Sequence, residues 1–125
     1  MSKYLKFLIF PDIRSAIFLT VVFTIAICVG TLTVLPEKID VPGTDKWQHL
    51  VAFAVLVYPI TVASRNYWIP ITVFALCLAA SIEIIQPYVN RFGDINDFQA
   101  DTLGVFLGLL VGILVRKFRV KKFKI

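Results

Sequence analysis

The sequence has few charged residues, one histidine and two cysteines. Only 17% of its 125 residues are Asp, Glu, Lys or Arg, whereas 58% are hydrophobic. Ordinary soluble domains are roughly 45–50% apolar, and a chain this short cannot bury so much apolar surface inside itself. The composition therefore excludes a soluble globule, a disordered tail and a disulfide scaffold. It predicts an integral membrane protein.

Four apolar stretches are candidates for crossing a membrane, because a bilayer core takes about 20 helical residues. The predicted helices cover residues 15–35, 47–64, 67–86 and 98–115. The last of these must begin near Phe98 to be long enough, which brings Asp101 to the membrane border. We predict an all-α integral membrane four-helix bundle, with residues 1–125 forming a single domain.

The basic residues lie mostly on one side of this predicted membrane protein. Ten of the 13 Lys and Arg residues fall in the two termini and the second loop, and three fall in the first and third loops. Cytoplasmic connections are enriched in Lys and Arg, so both termini are predicted to be cytoplasmic and the chain to be a multi-pass protein of the cell membrane. The net charge is +5, but most of the basic residues lie at the two ends of the chain, and nucleic acid is not an expected partner.

The acidic residues and the histidine collect on the other, outer side. Seven of the eight acidic residues lie in or beside the outer half. Three pairs have helical spacing at outer helix ends: Asp45 with His49, Glu83 with Gln86, and Asp97 with Asp101. Residues three or four apart share a helix face, so each pair should present its polar groups together.

These polar pairs predict a shared site at the outer membrane border. A carboxylate inside a membrane is costly unless it is paired, hydrated or functional, so we interpret Glu83 and Asp101 as functional. His49 is either a general acid–base oriented by Asp45 or a residue that only bonds to the loop. We expect His49, Glu83, Arg91 and Asp101 to lie within about 10 Å of one another.

The helix face of Asp101 continues as a glycine ridge formed by Gly104, Gly108 and Gly112. Glycine at every fourth position lets helix backbones approach closely. The ridge is expected to pack either within the chain or against a second copy, which makes an oligomer through this face possible.

The chain resembles the VanZ-like family in three motifs that occur in order. They are Asp45-Lys46-x-x-His49-x-x-x-Phe53, Glu83-x-x-Gln86 and Arg91-x-x-Asp94-x-x-Asp97-x-x-x-Asp101-x-x-Gly104-x-x-x-Gly108. The resemblance covers Asp45 to about Val115, and family members often have Asn at the position of Asp101. The family takes its name from a protein that gives low-level resistance to teicoplanin, a glycopeptide acting at the cell envelope. Resistance itself does not follow from the motifs.

The resemblance implies a role in processing lipid head groups or lipid-linked envelope precursors. It carries functional roles to the motif residues of this chain. The catalytic candidates are His49, Asp45, Glu83 and Asp101, and the substrate-binding candidates are Arg91, Gln86 and Asp97.

Three functions remain open at this point. The first is an enzyme in which Arg91 holds a phosphate and Glu83 and Asp101 form a second acid–base or bind Mg²⁺ or Ca²⁺. A single histidine without an outer cysteine argues against a structural zinc site. The second is a non-catalytic protein that binds membrane lipid or a partner. The third is a small transporter, which is disfavoured because carriers place their sites near the membrane midplane.

Overall fold

The computed structural model describes residues 2–33, 44–89 and 95–123, and these ranges contain helices and no strands. The helices are α1 (Lys3–Ile9), α2 (Ile13–Leu32), α3 (Thr44–Ala63), α4 (Trp68–Ile85) with a following 3₁₀ helix (Gln86–Val89), and α5 (Ile95–Phe123). Helices α2 to α5 are long and apolar enough to cross a membrane. The predicted all-α bundle of four membrane helices is therefore confirmed.

Two features of the helices differ from the sequence-based prediction. Helix α1 was not predicted, because its two lysines interrupt the apolar run and seven residues make less than two full turns. Helix α5 begins before Phe98 and continues past Val115 to Phe123, since the basic segment after residue 115 contains no proline or glycine to stop it.

Helix boundaries follow from capping groups and prolines. Asp12 caps α2: its carboxylate accepts a hydrogen bond from the Arg14 amide, and the Ser15 hydroxyl donates to it as well. The bond from Ser15 stabilises the charged form and lowers the pKa of the Asp12 carboxyl, which lies before the first membrane helix. Pro70 occupies the first turn of α4, where no backbone donor is needed. Pro87 follows the last α-helical turn of that element.

The closest helix pair is α3 with α5, and the glycine ridge makes the contact. A Cβ added to Gly104 would overlap the carbonyl oxygen of Leu50, and one added to Gly108 would overlap that of Ala54. One added to Gly112 would lie 2.8 Å from the Cβ of Thr61. The ridge thus packs within one chain, which is the first of the two alternatives, and an oligomer through this face is not tested by the structure.

A narrow apolar core lies between the four long helices. Helices α3 and α4 together supply most of it, with Phe53, Leu56 and Val57 of α3 fully buried, and α5 adds Val105. The other faces carry large exposed apolar side chains, among them Phe18, Phe74, Phe106 and Leu110. An apolar surface on the outside as well as the inside is the pattern of helices surrounded by lipid.

Six hydroxyl side chains in the long helices are satisfied by backbone carbonyls of their own helix. Each donates to the carbonyl oxygen four residues earlier: Thr24, Thr31, Thr61, Thr72, Ser81 and Thr102. In a bilayer core an unbonded hydroxyl would be costly, so this pattern suits spanning helices.

One end of the bundle is held together by the side chains of Arg116 and Arg119, and we call it the tail end. Arg116 donates to the carbonyl oxygens of Thr61 and Ser64, and its guanidinium group thereby caps the C-terminal end of α3. Arg119 donates to the carbonyl of Pro11 at 3.0 Å, just before α2. The tail end therefore holds the start of the first long helix and the end of the last.

The cytoplasmic location of the tail end is a prediction of the basic residues around it. Reporter fusions after residues 66 and 125 are expected to read as cytoplasmic, and fusions after residues 40 and 92 as external. A C-terminal reporter active on the outside would contradict the orientation.

Candidate functional site

The described polar residues among those predicted to form a site lie at the end of the bundle opposite the tail end, which we call the site end. It contains the last turn of α2, the first turns of α3 and α5, and the junction between α4 and the 3₁₀ helix. Each of the three predicted polar pairs starts or ends a helix here.

His49 and Asp101 form the centre of this site. Nδ1 of His49 lies 2.7 Å from Oδ1 of Asp101, which is hydrogen-bonding distance. Asp101 is 0% exposed, so an ionisable side chain is fully buried between helices that are long and apolar enough to cross a membrane. The two residues approach because Gly104, one turn after Asp101, lets α5 contact the backbone of Leu50, the neighbour of His49.

Asp97 lies on the outward side of the histidine. Its Oδ2 is 3.8 Å from Nε2 of His49, and the two side chains are 13% and 11% exposed. His49 is thus placed between two carboxylates of α5 that are four residues apart. The deeper one, Asp101, is sealed from solvent, and the outer one keeps limited access to it.

Glu83 brings a third carboxylate from α4. One potential ligand atom from each of His49, Glu83 and Asp101 can be chosen so that all lie within 4.8 Å of one another. Three helices therefore contribute one acidic or imidazole group each to a single point. His49, Glu83 and Asp101 lie together, as the shared helix ends predicted.

Gln86 has a packing role that the sequence did not reveal. It is 2% exposed, and its Nε2 donates to the carbonyl oxygen of Thr31 at 3.2 Å. This bond joins the 3₁₀ helix to the end of α2 beside the site. Thr31 itself carried no sequence signal, because a threonine in an apolar helix is common and its partner is 55 residues away.

Two predicted site residues are not placed. Arg91 and the side chain of Asp45 fall outside the described residues. The prediction that Asp45 orients His49 is therefore still a prediction, while Asp101 occupies one nitrogen of the imidazole ring. Asp101 was predicted as part of the site, but its spacing to Gly104 and Gly108 gave no sign of which side chain it would meet.

The arrangement is suited to two kinds of chemistry. A histidine held by a buried carboxylate has a fixed ring and tautomer, and it can take up or release a proton at its other nitrogen. An imidazole with two carboxylates can also hold a divalent cation. Both depend on the low dielectric of the helix bundle, where charge interactions are stronger than in water.

A separate apolar groove lies between α2 and α4, in the half of the bundle nearer the tail end. Its volume is about 560 Å³, and Ile17, Val21, Ile71 and Phe74 are among the residues that line it. The groove opens to the outside of the bundle, where lipid would contact it. It does not contain any of the predicted site residues.

Comparison with known proteins gives one result. A family model described as VanZ/LLP1 matches residues 3–116, which is most of the chain. No curated protein and no solved structure matches it.

Proposed function

The chain belongs to the VanZ/LLP1 family, and from this premise we propose that it is an enzyme of the cell membrane. Its substrate is the polar head of a membrane lipid or of a lipid-linked envelope precursor. The observation that carries the proposal is the buried contact between His49 and Asp101 beside Glu83, at one end of four apolar helices.

The position of the cluster supports an amphipathic substrate. The site end lies where helices capable of crossing a membrane begin and end, so a lipid beside it would have its head group at the level of His49. The hydrocarbon part of such a lipid would contact the exposed apolar faces of the same helices. A soluble substrate would gain nothing from these faces.

The side chains support proton transfer to or from that head group. Asp101 holds the imidazole of His49 through Nδ1, so that Nε2 is left on the side of the partly exposed Asp97. A positioned histidine of this kind contributes about 10²- to 10⁴-fold to the rate of a reaction limited by proton transfer. The expected reactions are hydrolysis or transfer at an ester or phosphate ester of the head group.

The same position counts against a carrier. Alternating-access carriers place their binding sites near the bilayer midplane, between broken helices. Here the carboxylates and the histidine lie within the first two turns of α3 and α5 and the last turn of α4. A lipid-binding protein without catalysis remains the alternative that an experiment must separate.

Lipid extracts provide the direct test. Membranes of cells that produce the protein are compared with membranes of cells carrying the empty vector, using mass spectrometry of intact lipids and lipid-linked precursors. Catalysis is expected to deplete one head-group species and to enrich its product. A lipid that co-purifies with the protein while the membrane composition stays unchanged would favour the binding alternative, and no change with no bound lipid would contradict both.

A further inference from the structure

Only one of the two carboxylate oxygens of Asp101 has a hydrogen-bond partner among the described residues. Oδ1 bonds to His49, whereas Oδ2 is buried and has no hydrogen-bond partner among the described residues. A buried, unsatisfied carboxylate oxygen costs a large part of its hydration free energy. Native structures keep such an atom where a ligand, an ion or a proton satisfies it.

We infer that His49, Glu83 and Asp101 form a binding site for one divalent metal ion. Each residue can offer one ligand atom, and these atoms already lie within 4.8 Å of one another. Small movements of side chains would bring such atoms to the separations found around a bound ion. Oδ2 of Asp101, which is buried and has no hydrogen-bond partner among the described residues, is available to such an ion.

The donor set favours one group of metals. Two carboxylates and an imidazole make a mixed oxygen and nitrogen site. Imidazole suits Fe²⁺ and Zn²⁺ and carboxylates suit Mn²⁺, which lies in the same series of transition metals, whereas Mg²⁺ and Ca²⁺ prefer oxygen ligands alone. The three residues come from three different helices, so the ion would also join α3, α4 and α5 at the site end.

A cation also fits the proposed substrate class, and to that extent the inference rests on the proposed function. The described residues of the site include three carboxylates, and these repel a phosphate group in a medium of low dielectric. A divalent ion held by the carboxylates would attract the phosphate and polarise it. With the ion bound, His49 would be a ligand instead of the general acid–base proposed above, and Asp97, beside its ring, would be the group available for proton transfer.

Manganese binding tests the inference without any substrate. The purified, chelator-treated protein in detergent is titrated with MnCl₂, and free Mn²⁺ is measured by its electron paramagnetic resonance signal. The wild type is expected to bind one Mn²⁺ per chain. Asp101→Asn and Glu83→Gln, which keep the size of the side chains, are expected to weaken binding by about 10- to 100-fold or more.

Asp12→Asn is the matched control, because it removes one carboxylate charge at the tail end. Asparagine caps helices as well as aspartate does, so α2 should be retained. This variant is expected to bind Mn²⁺ as the wild type does. Equimolar Mg²⁺ is expected to leave the Mn²⁺ bound, since an imidazole ligand disfavours magnesium.

Several results would overturn the inference. They are the absence of stoichiometric Mn²⁺ binding by the wild type up to about 1 mM, equal affinity in the wild type and both site variants, and displacement by equimolar Mg²⁺. If the wild type fails to bind Mn²⁺ while lipid conversion depends on His49, the proposed function stands and the metal site is wrong. If Mn²⁺ binds as expected and the lipid extracts show no change, the metal site stands and the proposed function is wrong.

Discussion

Replacing His49 with glutamine is expected to reduce lipid conversion by about 10²- to 10⁴-fold while leaving the protein folded. Glutamine is close to histidine in size and can still donate a hydrogen bond to the buried Oδ1 of Asp101, so the packing between α3 and α5 should persist. It cannot exchange a proton at neutral pH. Conversion is measured by mass spectrometry of lipids, and folding by the Tm in detergent.

The adjacent Gln48 provides the control for this variant. It lies on the same helical turn but is exposed, so Gln48→Ala should retain both activity and Tm. If His49→Gln keeps full activity at the wild-type Tm, the catalytic proposal is wrong and the lipid-binding alternative replaces it. The expected loss is the same whether His49 transfers a proton or binds the metal ion, and Mn²⁺ binding by the variant distinguishes the two roles.

A structural cluster would give a different pattern of losses. Arg91 is the cation that the sequence places nearest to these carboxylates. If the cluster only holds the helices together, Arg91→Ala should lower the Tm more than His49→Gln does, because removal of one partner from a buried ion pair costs roughly 3–5 kcal/mol. A catalytic cluster instead predicts that His49→Gln separates activity from stability.

The four spans could be predicted from the sequence because membrane helices leave a local signal. A run of about 20 mostly apolar residues is sufficient to indicate each span. The helix faces of Glu83 and Asp101 were also predictable, since spacing along a helix fixes which residues share a face.

The contacts between helices could not be predicted in the same way. The partner of Asp101, His49, is 52 residues away in the chain. The two residues meet only if α5 packs against α3 in one particular axial register. That register is set by Gly104 and Gly108 against two backbone carbonyls, which is information about two helices at once. Residues placed only by local spacing, such as Asp45 beside His49, cannot reveal it.

The basic C-terminal segment shows the same limit. Its charges predicted an orientation in the membrane, and Arg116 and Arg119 are part of that pattern. In the structure both donate to backbone carbonyls of other segments and so close the tail end of the bundle. A count of charges gives Arg116 and Arg119 the same weight as Lys117 or Lys121. Only the structure shows that the two arginines bind backbone carbonyls.

Replacing Gly104 with alanine is expected to destabilise the bundle by about 3 kcal/mol or more. The new Cβ would overlap the Leu50 carbonyl oxygen and lie 3.0 Å from the Leu50 Cα, and backbone atoms cannot rotate away as a flexible side chain can. Helix α5 would have to move away from α3, which would also separate Asp101 from His49. The variant should therefore lose activity together with stability.

Gly30→Ala is the matched control, because it makes the same chemical change in another membrane helix. A Cβ at Gly30 meets nothing within 4 Å, so only the difference in helix propensity acts, and it favours alanine by about 0.5–1 kcal/mol. The free energy of unfolding is measured for both variants by denaturation in detergent. Equal stability of the two would mean that α3 and α5 do not approach as closely as the ridge requires, and the geometry of the His49 and Asp101 pair, which depends on that approach, would have to be abandoned with it.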